Sequence, residues 1–191
     1  MERRDFYRIE DRVHLIKTPI ERHLLSDDPY GEIYHIPRQA LLVSQLQSIE
    51  SESRELLRQV SDTNRALGTY LRYMDEKIDL IAKYLVSHDK QISQKESINL
   101  SEGGISFYNA TALDLDTYLH VIMVLFPSYA TIAAIGIVKS CEKIEEQPSI
   151  FRIGVEFEVL LEPDRKQIVR HIRRLESREI RDQSHTSNEN N

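Results

Sequence analysis

Cysteine is nearly missing: Cys141 is the only one in 191 residues. That excludes an intrachain disulfide and a thiolate metal cluster. The seven histidines are scattered without metal-ligand spacing, so a zinc site is not expected either. No Ser-His-Asp order, paired-carboxylate motif, Walker loop or metal signature occurs, and the chain reads as a non-enzyme without a cofactor. Long apolar runs are lacking too. The longest, Tyr118 to Val138, is interrupted by His120, Pro127, Ser128 and Tyr129. A membrane span needs about 20 nearly unbroken apolar residues, so this stretch reads as two buried strands joined by a turn. The charged N-terminus leads into no apolar run, which excludes a signal peptide and points to the cytoplasm. A net charge of −6 argues against generic nucleic-acid binding. What remains is the profile of a soluble globular protein, 40% hydrophobic and 29% charged, with room for one domain and an elaboration.

Proline and glycine thin out abruptly in one place. Between Arg38 and Ile92 there is no proline and one glycine, Gly68, while apolar residues recur at helical spacing. Leu42, Leu46 and Ile49 share one face of a first helix, and the Ser- and Glu-rich stretch Ser48–Ser53 suggests a break. Beyond it, heptad positions a fall on Leu57, Asn64, Leu71, Ile78 and Leu85, and positions d on Val60, Leu67, Met74 and Ile81. Four heptads of this kind predict a coiled coil with a seam roughly 40 Å long. Its e and g positions are mostly apolar or small (Leu56, Tyr70 and Tyr84; Gly68 and Ala82), which makes the seam wider than a dimer needs. A tetramer is expected before a dimer, although an Asn at position a pulls towards two strands. Ala66, Tyr73 and Leu80 form a second stripe suited to the shorter helix. A monomer with this helix on its own β domain stays open.

On either side the period returns to that of strands. Arg12–Lys17 and Glu32–Ile36 read as strands around the turn-forming Ser26–Gly31. Ile98–Tyr108, Tyr118–Phe126, Thr131–Lys143 and Ile150–Leu161 supply the rest. The expected fold is α+β, a small antiparallel Greek-key barrel interrupted by a helical insertion. Its parts are 1–36, 37–95 (the insertion) and 96–181, with a disordered polar tail over 182–191. Pro163 and Asp164 open a last helix that buries Ile168, Ile172 and Leu175. Its cations Arg165, Lys166, Arg170, Arg173 and Arg174 read as a solvated face.

Two short motifs bear on function. In Ile98–Phe107, Asn99 and Ser101 lie two apart and face the same way on a strand, while Gly103-Gly104 permits φ > 0 or a close approach to a ligand. At the start of the chain, Arg3 and Arg4 precede Arg8 by one short spacing. Together, Arg-Arg-x-x-x-Arg and Asn-x-Ser-x-x-Gly resemble the two signature motifs of PilZ domains, the bacterial receptors for cyclic di-GMP. Ile137-Val138-Lys139, Phe151–Phe157 and the helix Arg165–Ile172 resemble the family's last strands and terminal helix.

The resemblance implies a signalling protein whose ligand is cyclic di-GMP and whose output is an effector protein. Arg4 and Arg8 would bind phosphate and guanine, and Arg3 would add charge or stacking. Asn99 and Ser101 would hydrogen-bond the ligand, and Gly104 would leave room for it. Arginine suits this task because its planar guanidinium bonds phosphate or guanine O6/N7 bidentately. The long insertion between the motifs departs from the family pattern. A PilZ-like scaffold that binds nucleotide weakly or not at all is therefore the alternative.

Overall fold

A computed structural model describes residues 8–87, 94–146 and 148–188. Six strands close an antiparallel barrel in the order β1-β2-β3-β6-β5-β4. They are β1 (Ile9–Ile20), β2 (Glu96–Ser101), β3 (Gly104–Asn109), β4 (Tyr118–Leu125), β5 (Ala130–Glu146) and β6 (Ser149–Leu160). The first strand is the hinge of the closure. Its residues Ile9–Val13 pair with β2 and His14–Ile20 pair with β4. Alternation sends Ile9, Val13 and Leu15 inward, where Ile98, Leu100, Phe107, Met123, Ile132 and Ile153 complete the core. The final helix, α3 (Glu162–Asn188), plugs this core with Ile168 and Ile172, and Leu175 packs beside them. It continues through Asn188, past the point where the sequence suggests a loose tail.

Three further ties fix α3 to the barrel. His171 Nε2 lies 2.6 Å from Asp11 Oδ2, and Arg165 reaches Glu102 at 3.6 Å. Asp164, buried at the opening turn of α3, has its Oδ2 2.9 Å from the hydroxyl of Tyr30. That hydroxyl also lies 3.2 Å from the Thr131 carbonyl and accepts the Ala133 N–H at 3.2 Å. Burial pushes the Asp164 carboxyl up to about 6 and is only partly offset by its hydrogen bonds. The folded state thus holds this proton more tightly than the unfolded chain. Its stabilising effect is complete below the ordinary value of 3.8 and is lost as pH rises through about 6. Asp164→Asn keeps an acceptor for Tyr30 and carries no charge. Relative to wild type it should gain about 2–3 kcal/mol between about pH 4 and pH 7, read from paired urea titrations.

The segment between β1 and the helices contains no strand among the described residues. Glu32–Ile36, expected as one, is turn: Gly31 N–H bonds Asp28 O and Tyr34 N–H bonds Gly31 O. What orders it is Tyr34, whose ring stacks on His120 at 4.3 Å and whose hydroxyl donates to Leu24 O. Burial pushes the His120 imidazole down, and its Nε2 bonds the Pro29 carbonyl at 2.8 Å. This segment covers the outer face of β4 at His120, and Ala40, Val43 and Ala82 cover it at Val124, so that strand is buried from Leu119 onward on both sides.

The insertion is a helical hairpin. The first helix, α1 (Arg38–Thr63), runs unbroken through Ser48–Ser53, where a break was expected. The reversal comes at Asn64, and α2 (Arg65–Ser87) returns antiparallel. Asn64 serves both helices. Its N–H bonds Val60 O, ending α1 in extended geometry (φ −142, ψ 97). Its Oδ1 accepts the Leu67 N–H at 3.1 Å, an N-cap for α2. The seam expected to run from Leu57 to Leu85 is therefore divided, and Asn64 is a hinge rather than a core residue. The helices meet on the small residues instead of the stripe Ala66/Tyr73/Leu80, which is exposed. At Gly68 a Cβ would lie 2.7 Å from Ser61 Cα, so only glycine admits α1 this close. At the far end Ala82 packs with Ala40, Val43 and Val124 and anchors the hairpin to the barrel.

This packing leaves position a and d residues of α2 substantially uncovered among the described residues. Leu71 is 36% exposed, Ile78 46% and Ile81 62%. Leu67, Met74 and Leu85 are exposed with them, whereas Leu57 and Val60 on α1 are partly buried.

Candidate functional site

The outer face of β1, β2, β3 and β6 carries a groove of about 490 Å3. Register builds it in cross-strand rows, since paired residues of an antiparallel sheet share a face. In one row Glu10 pairs with Asn99, Asn99 with Ser106, and Ser106 with Gly154. In the adjacent row Arg12 pairs with Ser97, and Tyr108 pairs with Arg152. Arg12 and Arg152 thus flank a floor made of an amide, hydroxyls and a residue without a side chain. Tyr108 is 53% exposed and offers a ring face at the edge.

Asn99 lies within this groove, and its Oδ1 is buried without a hydrogen-bond partner among the described residues. A buried amide oxygen left unpaired costs free energy unless something donates to it. Arg8 is exposed and precedes Ile9, the partner of Leu100. Continuing the register brings it beside Ser101, at the end of the same face. Arg3 and Arg4 lie outside the described residues.

The other two motif residues do something different. Ser101 and Gly104 pair across a two-residue turn, Glu102-Gly103, and neither lines the groove. Ser101 is 6% exposed, and its hydroxyl donates to Gly104 O at 3.0 Å. No described glycine has a positive φ, so the turn does not use the freedom that Gly103-Gly104 would allow. Gly104 is needed for a contact within the barrel: a Cβ there would lie 2.2 Å from Val155 O of β6. The neighbouring Phe157 N–H bonds Gly103 O at 2.9 Å. The motif glycine makes room for a strand of its own barrel.

Arg12, Arg152 and Tyr108 are groove residues that the motif reading missed. Their outward parity is legible in each strand, but only the register across four strands brings them together. Among the described residues there is no cluster of His, Cys, Asp and Glu able to hold a metal, and no helix is long and apolar enough to cross a membrane.

A closed six-stranded antiparallel barrel plugged by a terminal helix, with helices packed beside it, is an architecture of the PilZ type. The PilZ domain profile matches residues 70–174, more than half of the chain, and the protein belongs to that family. The matched span includes Asn99–Gly104 but not β1 or the arginines before it. PilZ domains are nucleotide-binding receptors whose ligand is cyclic di-GMP. The fold is similar to that of a pathogenic protein from Xanthomonas campestris, described as a tetrameric PilZ domain self-assembled via an unusual helical bundle. The TM-score is 0.59 at 15% identity, over 93% of this chain and 91% of that one. The Bacillus subtilis inhibitor of motility matches over 44% of this chain and 43% of its own, with a TM-score of 0.38 and 18% identity. No curated protein matches the chain significantly.

Proposed function

We propose that this protein is a cytoplasmic, non-catalytic receptor that binds cyclic di-GMP on the β1-β2-β3-β6 face and self-associates through α2 to act on an effector protein. The observation that carries the reading is the unpartnered Asn99 Oδ1 in a groove flanked by Arg12 and Arg152, with Arg8 entering at its end. Guanine edges supply N–H donors for that oxygen, and the two phosphates suit guanidinium groups. Arg3 and Arg4 complete the clamp from the N-terminal arm, and Ser101 and Gly104 shape the turn beneath it. The unpartnered α2 face, together with the fold shared with a tetrameric domain, favours a tetramer over a dimer.

Arg8→Ala should weaken cyclic di-GMP binding by about 1.5–3 kcal/mol, more than tenfold, with Lys at this position restoring only part of it. Calorimetric titration of the three proteins decides this. Equal affinity in all three would remove Arg8 from the site.

A second reading, an assembly scaffold blind to the nucleotide, is favoured by a different observation. The hydroxyl of Ser101 and the space at Gly104 are already used inside the barrel, and the Glu10 carboxylate shares the groove with Asn99. Under that reading self-association persists while the ligand produces no heat.

A further inference from the structure

A larger cleft, of about 900 Å3, opens between the helical hairpin, α3 and the β4–β5 turn, and it shares no residue with the groove. Cations line it unevenly. Those contributed by the hairpin are neutralised, Arg54 by Glu50 at 3.3 Å and Lys83 by Asp79 at 3.6 Å, and Lys166 of α3 is held by Glu162 at 3.6 Å. Arg170 and Arg174 also line the cleft, and neither has a carboxylate partner among the described residues. They stand one turn apart on one face of α3, where like charges repel. A solvated helix face would gain from a carboxylate at this spacing. Two unpaired guanidinium groups turned into a cavity are instead arranged for an anion.

A second observation points the same way. His171, 4% exposed, also lines the cleft, and its Nδ1 is buried with no partner among the described residues. The bond to Asp11 uses Nε2, so Nδ1 is the ring atom left open to an occupant. The acidic residues of the cleft are engaged elsewhere. Glu50 and Asp79 are paired, and Asp164 is bound to Tyr30, with burial holding its carboxyl up at about 6.

We propose that this cleft is a second ligand site, for a small polyanion bearing two adjacent phosphate groups, held by Arg170 and Arg174. The residues facing each other across it come from α3 and the hairpin, so an occupant would bridge the two and set the hairpin's angle on the barrel.

The test is calorimetry of the full chain with inorganic pyrophosphate. Wild type should bind one equivalent per protomer, with orthophosphate weaker because it spans only one guanidinium. Arg170→Ala/Arg174→Ala, whose side chains are both exposed, should fold normally by circular dichroism and lose affinity roughly tenfold or more. Arg173→Ala, exposed on α3 and lining neither the cleft nor the groove, should bind pyrophosphate like wild type. Absence of binding to wild type, binding undiminished in the double variant, or an equal loss in Arg173→Ala would each overturn the proposal.

Discussion

Changing both Leu71 and Ile78 to Asp should convert the assembly to monomers of 22.3 kDa while leaving the barrel folded. Both side chains are substantially exposed within one chain, so carboxylates there meet water and cost the isolated fold little. In the proposed assembly the same positions would face a partner's α2. Each then buries a charge without a counter-ion, at several kcal/mol per site, and each loses about 1.5–3 kcal/mol of apolar burial. The hairpin itself should survive, because it closes through Gly68 against Ser61 and through Ala82 against Ala40 and Val43. Light scattering on wild type and variant reads the masses directly. A wild type already at monomer mass would contradict self-association through the α2 face.

Gly104→Ala should destabilise the barrel by about 3 kcal/mol, read from urea unfolding. The added methyl meets the Val155 carbonyl at 2.2 Å and the Glu156 Cα at 3.2 Å. Both are backbone atoms of β6, so relief requires parting β3 from β6 beside the Phe157 N–H to Gly103 O bond. The Ser101 hydroxyl would lose its acceptor geometry in the same movement. A role limited to ligand clearance predicts the reverse pattern, unchanged stability with reduced affinity.

Much of this fold is legible in the sequence, and the gaps have physical causes. Strands β5 and β6 and the burial of Ile168 and Ile172 follow from alternation and helical spacing. The barrel fits the arrangement expected from many short antiparallel strands. Two helices are legible, but the point of reversal is not, because Asn64 satisfies two patterns at once. It sits at a heptad position a, yet it is also a good N-cap one residue ahead of Arg65-Ala-Leu. Heptad counting sees only the first. The closest helix contact then fell on Gly68 and Ala82, positions e in that frame, because small residues admit a neighbouring backbone and large ones do not. Glu32–Ile36 has the composition of a strand but spends its key side chain, Tyr34, stacking on His120.

The candidate site divides the same way. Asn-x-Ser-x-x-Gly is visible as a motif, but residue types alone do not separate a groove-facing amide at Asn99 from a turn-closing hydroxyl at Ser101. That difference is set by the register of β2 against β3 and β6. Arg12 and Arg152 lie 140 positions apart in sequence and converge only through the closed barrel.

The central claim, a PilZ receptor that uses this face for cyclic di-GMP, is tested most directly by one calorimetric titration of the wild-type protein with the nucleotide. Saturable heat with a fixed stoichiometry per protomer is the expected result. A flat titration, with no shift in melting temperature at saturating nucleotide, would contradict it.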